Sequence, residues 1–152
     1  MTFSTTATVV PTAPIWVESG TATPVASFDG ASVGITYTRQ IFRWNRVGGI
    51  CFFDGRITLS SKGSSTGTFR LCEGAFPYAS IDVDVDGYPA IIRCLSFAST
   101  IGDTDIFGDV IAGESVPYLR LYRYSSGSAV SLSDPSLTDT SDIIFNGHYR
   151  VA

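Results

Sequence analysis

The chain has 152 residues, which is enough for one domain with a sizeable core that needs no disulfide or metal. Its net charge is −4 and Lys62 is its single lysine, which argues against the basic face that nucleic-acid binding requires. Only 16% of the residues are charged, and the mean hydropathy of +0.22 is high for a chain with no apolar run long enough to span a membrane. We therefore expect another subunit to cover part of the apolar surface.

The first 30 residues are rich in Thr, Ser, Ala and Pro, and they show no basic stretch followed by an apolar one, as a signal peptide would. Pro11, Pro14 and Pro24 break any helix and weaken any central strand. The composition predicts an extended N-terminal arm or linker over residues 1–30, followed by one β-sandwich domain over residues 31–152.

From about residue 33 the apolar residues recur with a period of two, and no stretch has the spacing of an amphipathic helix. Turn residues rich in Gly and Ser separate these segments at even intervals. The pattern predicts an all-β fold, an antiparallel β-sandwich or jelly roll. The predicted strands are Val33–Thr38, Ile41–Asn45, Ile50–Ser60, Thr66–Cys72, Ile81–Val85, Ala90–Ala98, Ile106–Ile111, Val116–Tyr124, Val130–Leu132 and Ile143–Val151.

The strand Ile50–Ser60 shows the alternation clearly. We expect its core face to carry Cys51, Phe53, Ile57 and Leu59. The chain has three cysteines, at positions 51, 72 and 94, an odd number with wide spacing and no C-x-x-C motif. We expect all three to be reduced and buried, in a chain made in a cytoplasm.

Three patterns resemble catalytic or metal sites but lack essential parts. Residues 63–67 match G-x-S-x-G, with Ser65 at the centre, His148 as the one available base and Asp142 to orient it. No helix follows Ser65, so we interpret the segment as a hairpin loop and not as a nucleophile elbow. His148, the chain's one histidine, is more simply a structural residue, and zinc is not expected.

Residues 82–87 match the opening of a calcium loop, with aspartates at alternate positions and then a glycine. Arg93 stands where the bidentate Glu should be, so we interpret the segment as a strand with a solvent-facing row of carboxylates. A pair of such carboxylates could also hydrolyse a glycosidic bond, but sequence alone does not place two of them around a sugar. We therefore predict no catalytic residues, no metal and no cofactor.

The segment Val116–Tyr124 is the most distinctive part of the sequence. Alternation places Tyr118, Arg120, Tyr122 and Tyr124 on one face. Tyrosine rings stack on the C–H faces of sugars while hydroxyl and guanidinium groups supply hydrogen bonds, and subunit interfaces use the same residues. Ordinary core and rim packing is the alternative interpretation.

Two longer stretches, residues 37–80 and 118–151, resemble the C-terminal domains of bacteriophage tail fibres and tailspikes. In these an aromatic residue and a small apolar-Gly step lead into a long strand. A turn similar to G-L-P-F follows, here Gly-Ala-Phe-Pro at residues 74–77, and a G-x-Y strand closes the chain, here Gly-His-Tyr at residues 147–149. Position 75 departs from the pattern, with Ala in place of Leu.

The resemblance implies a homotrimeric β-sandwich at the tip of a fibre, in the virion, assembled in the host cytoplasm and joined to an upstream fibre or tailspike segment. It also implies host recognition through a bacterial cell-surface polysaccharide or lipopolysaccharide, bound without cleavage, with neither nucleic acid nor membrane insertion. Two alternatives stay open: a pure trimerisation and assembly module, and a small glycan hydrolase or esterase. As contact residues for the glycan we predict Trp44, Tyr118, Arg120, Tyr122 and Tyr124.

Overall fold

The computed structural model describes residues 17–79, 88–95, 106–111 and 117–151, apart from the side chains of residues 88–95, 124 and 125. These ranges are all-β, with ten strands and the short 3-10 turn Asp134–Ser136. The strands are β1 (Val17–Ala22), β2 (Ala26–Phe28), β3 (Ile35–Val47), β4 (Ile50–Lys62), β5 (Phe69–Leu71), β6 (Tyr88–Leu95), β7 (Ile106–Ile111), β8 (Tyr118–Ser125), β9 (Ser128–Ser131) and β10 (Asp142–Arg150).

All strand pairs are antiparallel, in the order β1-β3-β4-β10-β6-β7-β8-β5-β2, with β9 beside β8. The two ends of this order lie close together, because only residues 23–25 separate β1 from β2. The Tyr37 hydroxyl of β3 accepts a hydrogen bond from the Ala26 backbone N–H of β2 at 2.9 Å, and Gln40 Nε2 donates to the Pro24 carbonyl at 2.7 Å. The sheet therefore folds back on itself, which confirms the predicted antiparallel β-sandwich.

Alternation along each strand decides which side chains enter the core. In β4 the four predicted core residues are all buried, whereas Phe52 on the opposite face is 46% exposed. Burying an apolar side chain of this size contributes about 1.5–3 kcal/mol. A single apolar cluster joins both layers of the sandwich: Phe42, Cys51, Phe53, Ile57, Leu59, Ile143, Phe145 and Tyr149 with Phe28, Phe69, Leu71, Leu119 and Leu121.

Phe76, in the turn that follows β5, inserts into a group of aromatic rings. Its ring centroid lies 5.3 Å from that of Phe42, 5.1 Å from that of Phe53 and 5.3 Å from that of Tyr149, each pair with nearly perpendicular rings. Edge-to-face pairs of this kind contribute about 0.5–1.5 kcal/mol beyond area burial. The Tyr149 hydroxyl donates to the Tyr78 carbonyl at 3.2 Å, which also fixes the backbone after the turn.

The β3–β4 hairpin is longer than the sequence pattern predicted. The predicted strands Val33–Thr38 and Ile41–Asn45 are one strand, β3, because register shifts between Thr36 and Arg39 let the chain continue through a bulge. Gly48 has φ = 57°, as the first position of a tight two-residue hairpin turn can require.

Part of the segment predicted as an extended arm belongs to the sandwich. β1 pairs with β3 over its full length, and β2 pairs with β5. Ala26 and Phe28 are buried in the core, and this burial holds β2 in the sheet. Residues 1–16 and the predicted strand Ile81–Val85 lie outside the described residues.

Gly55 of β4 provides the space that Phe145 occupies. A Cβ at position 55 would lie 2.4 Å from Phe145 Cζ and 2.5 Å from the Ile41 carbonyl oxygen, which belongs to the neighbouring strand. We predict that Gly55→Ala lowers the free energy of unfolding by about 1–3 kcal/mol, measured by urea denaturation. The control Gly49→Ala should change it by less than about 0.5 kcal/mol, because its nearest atom, the Val151 carbonyl oxygen, is 3.6 Å away. Equal stability of the two variants would contradict this packing.

Candidate functional site

β8 carries two rows of side chains on opposite faces. Leu119 and Leu121 are fully buried in the core. Tyr118, Arg120 and Tyr122 lie on the opposite face, which we call the β8 face. Tyr118 is only 1% exposed, whereas Arg120 and Tyr122 are partly exposed. β5 and β7 flank β8, so this row lies within the sheet and not at its edge.

The Arg120 guanidinium is held by two tyrosine hydroxyls. Its Nη2 donates to the Tyr118 hydroxyl at 2.7 Å, and its Nη1 donates to the Tyr122 hydroxyl at 3.4 Å. The Nε atom is buried and has no hydrogen-bond partner among the described residues. Arg120 takes part in none of the ion pairs within the described ranges. It is therefore a cation whose hydrogen-bond partners are neutral.

A second arginine, Arg70 of β5, lies directly opposite Arg120 in the register of β5 and β8. Its guanidinium carbon is 4.6 Å from the centroid of the Tyr118 ring, and that of Arg120 is 5.8 Å away, both within the range of cation–π attraction. Arg70 has carboxylates beside it, Asp29 at 3.7 Å and Glu73 at 3.8 Å. Both positive charges thus contact the Tyr118 ring, but ion pairs neutralise only Arg70.

The end of the β8 face at Tyr122 is aromatic. The Tyr122 ring stacks on Phe107 of β7, with centroids 5.3 Å apart and planes 16° apart. Tyr124 continues the strand and its backbone pairs with Ala129 of β9, but its side chain lies outside the described residues. Stacked rings that include a partly exposed tyrosine are suited to contact a ligand that has both apolar and polar edges.

Trp44 is not part of the β8 face. It lies on β3 opposite Gly20 of β1, and its indole occupies the space above that glycine. Its ring contacts Tyr78 edge-on at 5.5 Å, and the Arg46 guanidinium lies 4.8 Å from the Tyr78 ring centroid. The Tyr78 hydroxyl donates to Glu18. These residues form a second aromatic and charged cluster, near the β1 edge of the sandwich, which the structure does not bring together with β8.

The structure does not assemble the residues of the G-x-S-x-G hypothesis into a triad. Ser65 Oγ accepts a hydrogen bond from the Val33 backbone N–H at 2.9 Å. Asp142 accepts from Arg56 and Thr58. His148 lies six residues further along β10, which at the rise of an extended strand is roughly 20 Å from Asp142.

Only some of the residues considered for metal binding, and two of the three cysteine side chains, lie within the described part of the chain. The aspartates of residues 82–87 lie outside the described residues, and no group of three or more His, Cys, Asp and Glu in the described ranges could hold a metal ion. Cys51 and Cys72 are free and buried, and burial raises the pKa of both thiols. The Cys94 side chain lies outside the description. In the described part of the chain, no helix is long and apolar enough to cross a membrane.

Sequence reasoning missed the residues that surround the predicted ones. Arg70 stands between the apolar residues of β5, and the alternation alone indicates an outward side chain. Its position opposite Arg120 depends on strand order, which the sequence pattern does not contain. Asp29 reaches Arg70 from a distant segment after β2, so no local signal marks it, whereas Glu73 lies only three residues after Arg70.

Comparison with known proteins gives a likeness in fold. Neither a family model nor a curated protein matches the sequence. Among solved structures, the chain is similar to the crystal structure of the Dettilon tailspike protein (gp208), with a TM-score of 0.69 and 15% sequence identity. The match covers 90% of this chain and 24% of that one, so the chain spans about a quarter of that tailspike's length. At this identity, the likeness establishes a shared fold.

The ion pair of Asp142 generates a pH-dependent prediction. Hydrogen bonding from Arg56 lowers the pKa of Asp142, burial opposes this effect, and the hydrogen bond from Thr58 lowers the pKa further. A carboxyl whose pKa is lower in the folded state contributes stability that is fully present above its unfolded pKa of about 3.9. That contribution is lost as the pH falls through the folded pKa.

We therefore expect Asp142→Asn to lower the urea midpoint at about pH 7, and the difference from wild type to shrink by about pH 3. The control is Asp54→Asn, since the ion pair between Arg43 and Asp54 is exposed on both sides and 4.0 Å long. It should move the midpoint much less. A difference for Asp142→Asn that stays constant with pH would show that its carboxylate charge does not stabilise the fold.

Proposed function

We propose that this chain is a C-terminal domain of a bacteriophage tail fibre or tailspike, which forms a homotrimer and binds a bacterial cell-surface polysaccharide or lipopolysaccharide without cleaving it. The observation that carries the proposal is the fold likeness to a tailspike over 90% of the chain at a TM-score of 0.69. The domain would lie at the tail tip of the virion, assembled in the host cytoplasm and connected to an upstream fibre segment.

The sequence resemblance supports the same class of protein for a physical reason. Its two most distinctive motifs are the turn at residues 74–77 and the closing strand at residues 147–149. They meet in the core, where the Phe76 and Tyr149 rings pack edge-to-face with their centroids 5.3 Å apart. The motifs therefore coincide with the packing that holds the sandwich together.

An exposed apolar surface supports trimer formation. We define the hairpin patch as Val17, Val47, Ile50 and Phe52, which are 70%, 43%, 39% and 46% exposed. The register of β1, β3 and β4 places Val17 beside Val47 and Val47 beside Ile50, so these side chains are contiguous on the outer face. Contiguous exposed apolar groups are typical of subunit contacts.

Light scattering behind a sizing column tests this assignment. We expect wild type to have three times the 16.2 kDa chain mass. The double variant Ile50→Asp, Phe52→Asp should dissociate to monomers, because it places charges in an apolar contact. The control Val33→Asp changes an apolar residue that is 67% exposed but lies outside the hairpin patch, and it should remain trimeric. A wild-type monomer would overturn the trimer, and a trimeric double variant would place the contact elsewhere.

The β8 face is the surface that we assign to the glycan. Tyr122 offers a partly exposed ring, stacked on Phe107, and Arg120 offers a guanidinium beside it. Sugars are recognised by aromatic faces together with fixed hydrogen-bond donors, and a trimer multiplies weak single contacts.

Binding of the labelled protein to host cells tests the assignment. We expect Tyr122→Ala to reduce binding by at least about tenfold, since removing an aromatic anchor typically costs more than about 1 kcal/mol. Its circular dichroism spectrum and urea midpoint should stay close to those of wild type, and Val33→Ala should bind as wild type does. Undiminished binding by Tyr122→Ala would move the glycan site away from β8.

Absence of cleavage is tested on the same host polysaccharide by assaying for released reducing ends and acetate. We expect neither to be released. Product release would favour a glycan hydrolase or esterase, and a trimer that binds no host cell would favour a pure assembly module.

A further inference from the structure

The Arg120 guanidinium has no ion-pair partner among the described residues. It donates to two neutral hydroxyls, and its Nε is buried without a partner among the described residues. Arg70 of β5 lies opposite Arg120, but Asp29 and Glu73 pair with Arg70 and not with Arg120. A partly buried cation without an ion-pair partner is unfavourable unless an opposite charge approaches it.

The neighbouring carboxylates do not supply that opposite charge. Asp29 and Glu73 lie beside Arg70, and Glu73 also accepts a hydrogen bond from Ser27 Oγ at 2.6 Å. Asp109 of β7 lies opposite Arg120 in the register of β7 and β8. Among the described residues, no ion pair joins the two.

The geometry prepares Arg120 for an anion. The Tyr118 and Tyr122 hydroxyls hold the two Nη atoms, so the plane of the guanidinium is fixed before any ligand arrives. The two bonds leave one N–H on each Nη atom, and these two donors suit the paired oxygens of a carboxylate or a phosphate, whereas Nε is buried. A preoriented guanidinium loses less side-chain entropy when it binds.

We propose that Arg120 binds the anionic group of an acidic saccharide, a carboxylate or a phosphate, with Tyr122 stacking beside it. This inference rests on the proposed function, because it specifies the glycan as acidic. The affinity of the site then includes an electrostatic part that weakens as salt rises.

The test uses the purified full chain labelled with ¹⁵N and follows the Nε–H signals of its arginines by NMR. The probes are glucuronate, inorganic phosphate and, as the neutral control, glucose. We expect the Arg120 signal to shift saturably with glucuronate, with phosphate or with both, and not with glucose. Arg43 and Arg56 serve as internal controls, since each already pairs with a carboxylate, and their signals should stay in place.

The two anions distinguish the source of the charge. A shift with glucuronate alone indicates a carboxylate sugar, and a shift with phosphate alone indicates a phosphorylated one. No shift at Arg120 with either anion overturns the inference, as does an equal shift with glucose or at every arginine. The variant Arg120→Gln assigns the signal, and Arg120→Lys tests whether the planar fork is needed beyond the charge.

This outcome is separable from that of the proposed function. Host-cell binding that is lost in Tyr122→Ala, together with an Arg120 signal that no anion shifts, would retain glycan binding and remove the acidic group. An anion-induced shift without any host-cell binding would retain the anion site and remove the proposed role in host recognition.

Discussion

The contact of Phe76 with three other aromatic rings connects parts of the chain that are far apart in sequence. Phe42 and Phe53 come from the β3–β4 hairpin, whereas Tyr149 comes from β10. Phe76 itself is in the turn after β5, so the contact holds that turn against both the hairpin and the closing strand. The bond from the Tyr149 hydroxyl to the Tyr78 carbonyl also fixes the backbone after this turn to β10, which pairs with β4 on one side and β6 on the other.

This packing also determines the outer surface, because strand side chains alternate. Once Leu119 and Leu121 enter the core, Arg120 must point outward, and the burial of Phe69 and Leu71 does the same for Arg70. The register of β5 against β8 sets the two arginines opposite each other. Their proximity is therefore imposed by the core and does not need an ion pair to maintain it.

The alternation of side chains along a strand also explains which features could be predicted from the sequence. Alternation within one strand is local, so the core face of β4 and the outward position of Arg120 were predictable. The bulge near Tyr37, which joins two predicted strands, depends on how β3 meets β4, and the pairing of Arg70 with Arg120 depends on sheet order. Trp44 was predicted as a glycan contact together with the tyrosines of β8, but β4, β10, β6 and β7 separate β3 from β8 in the sheet order.

The two kinds of arginine environment in this sandwich indicate different roles. Arg56 donates to Asp142, and Thr58 completes that carboxylate's hydrogen bonds, so the group is satisfied and serves stability. Arg120 has no ion-pair partner among the described residues, leaves Nε without a described partner and donates to two tyrosine hydroxyls. Arg120 also contributes to the fold, because it donates to the hydroxyl of Tyr118, which is only 1% exposed. A ligand that brings negative charge to the β8 face would add the ion pair that Arg120 lacks among the described residues.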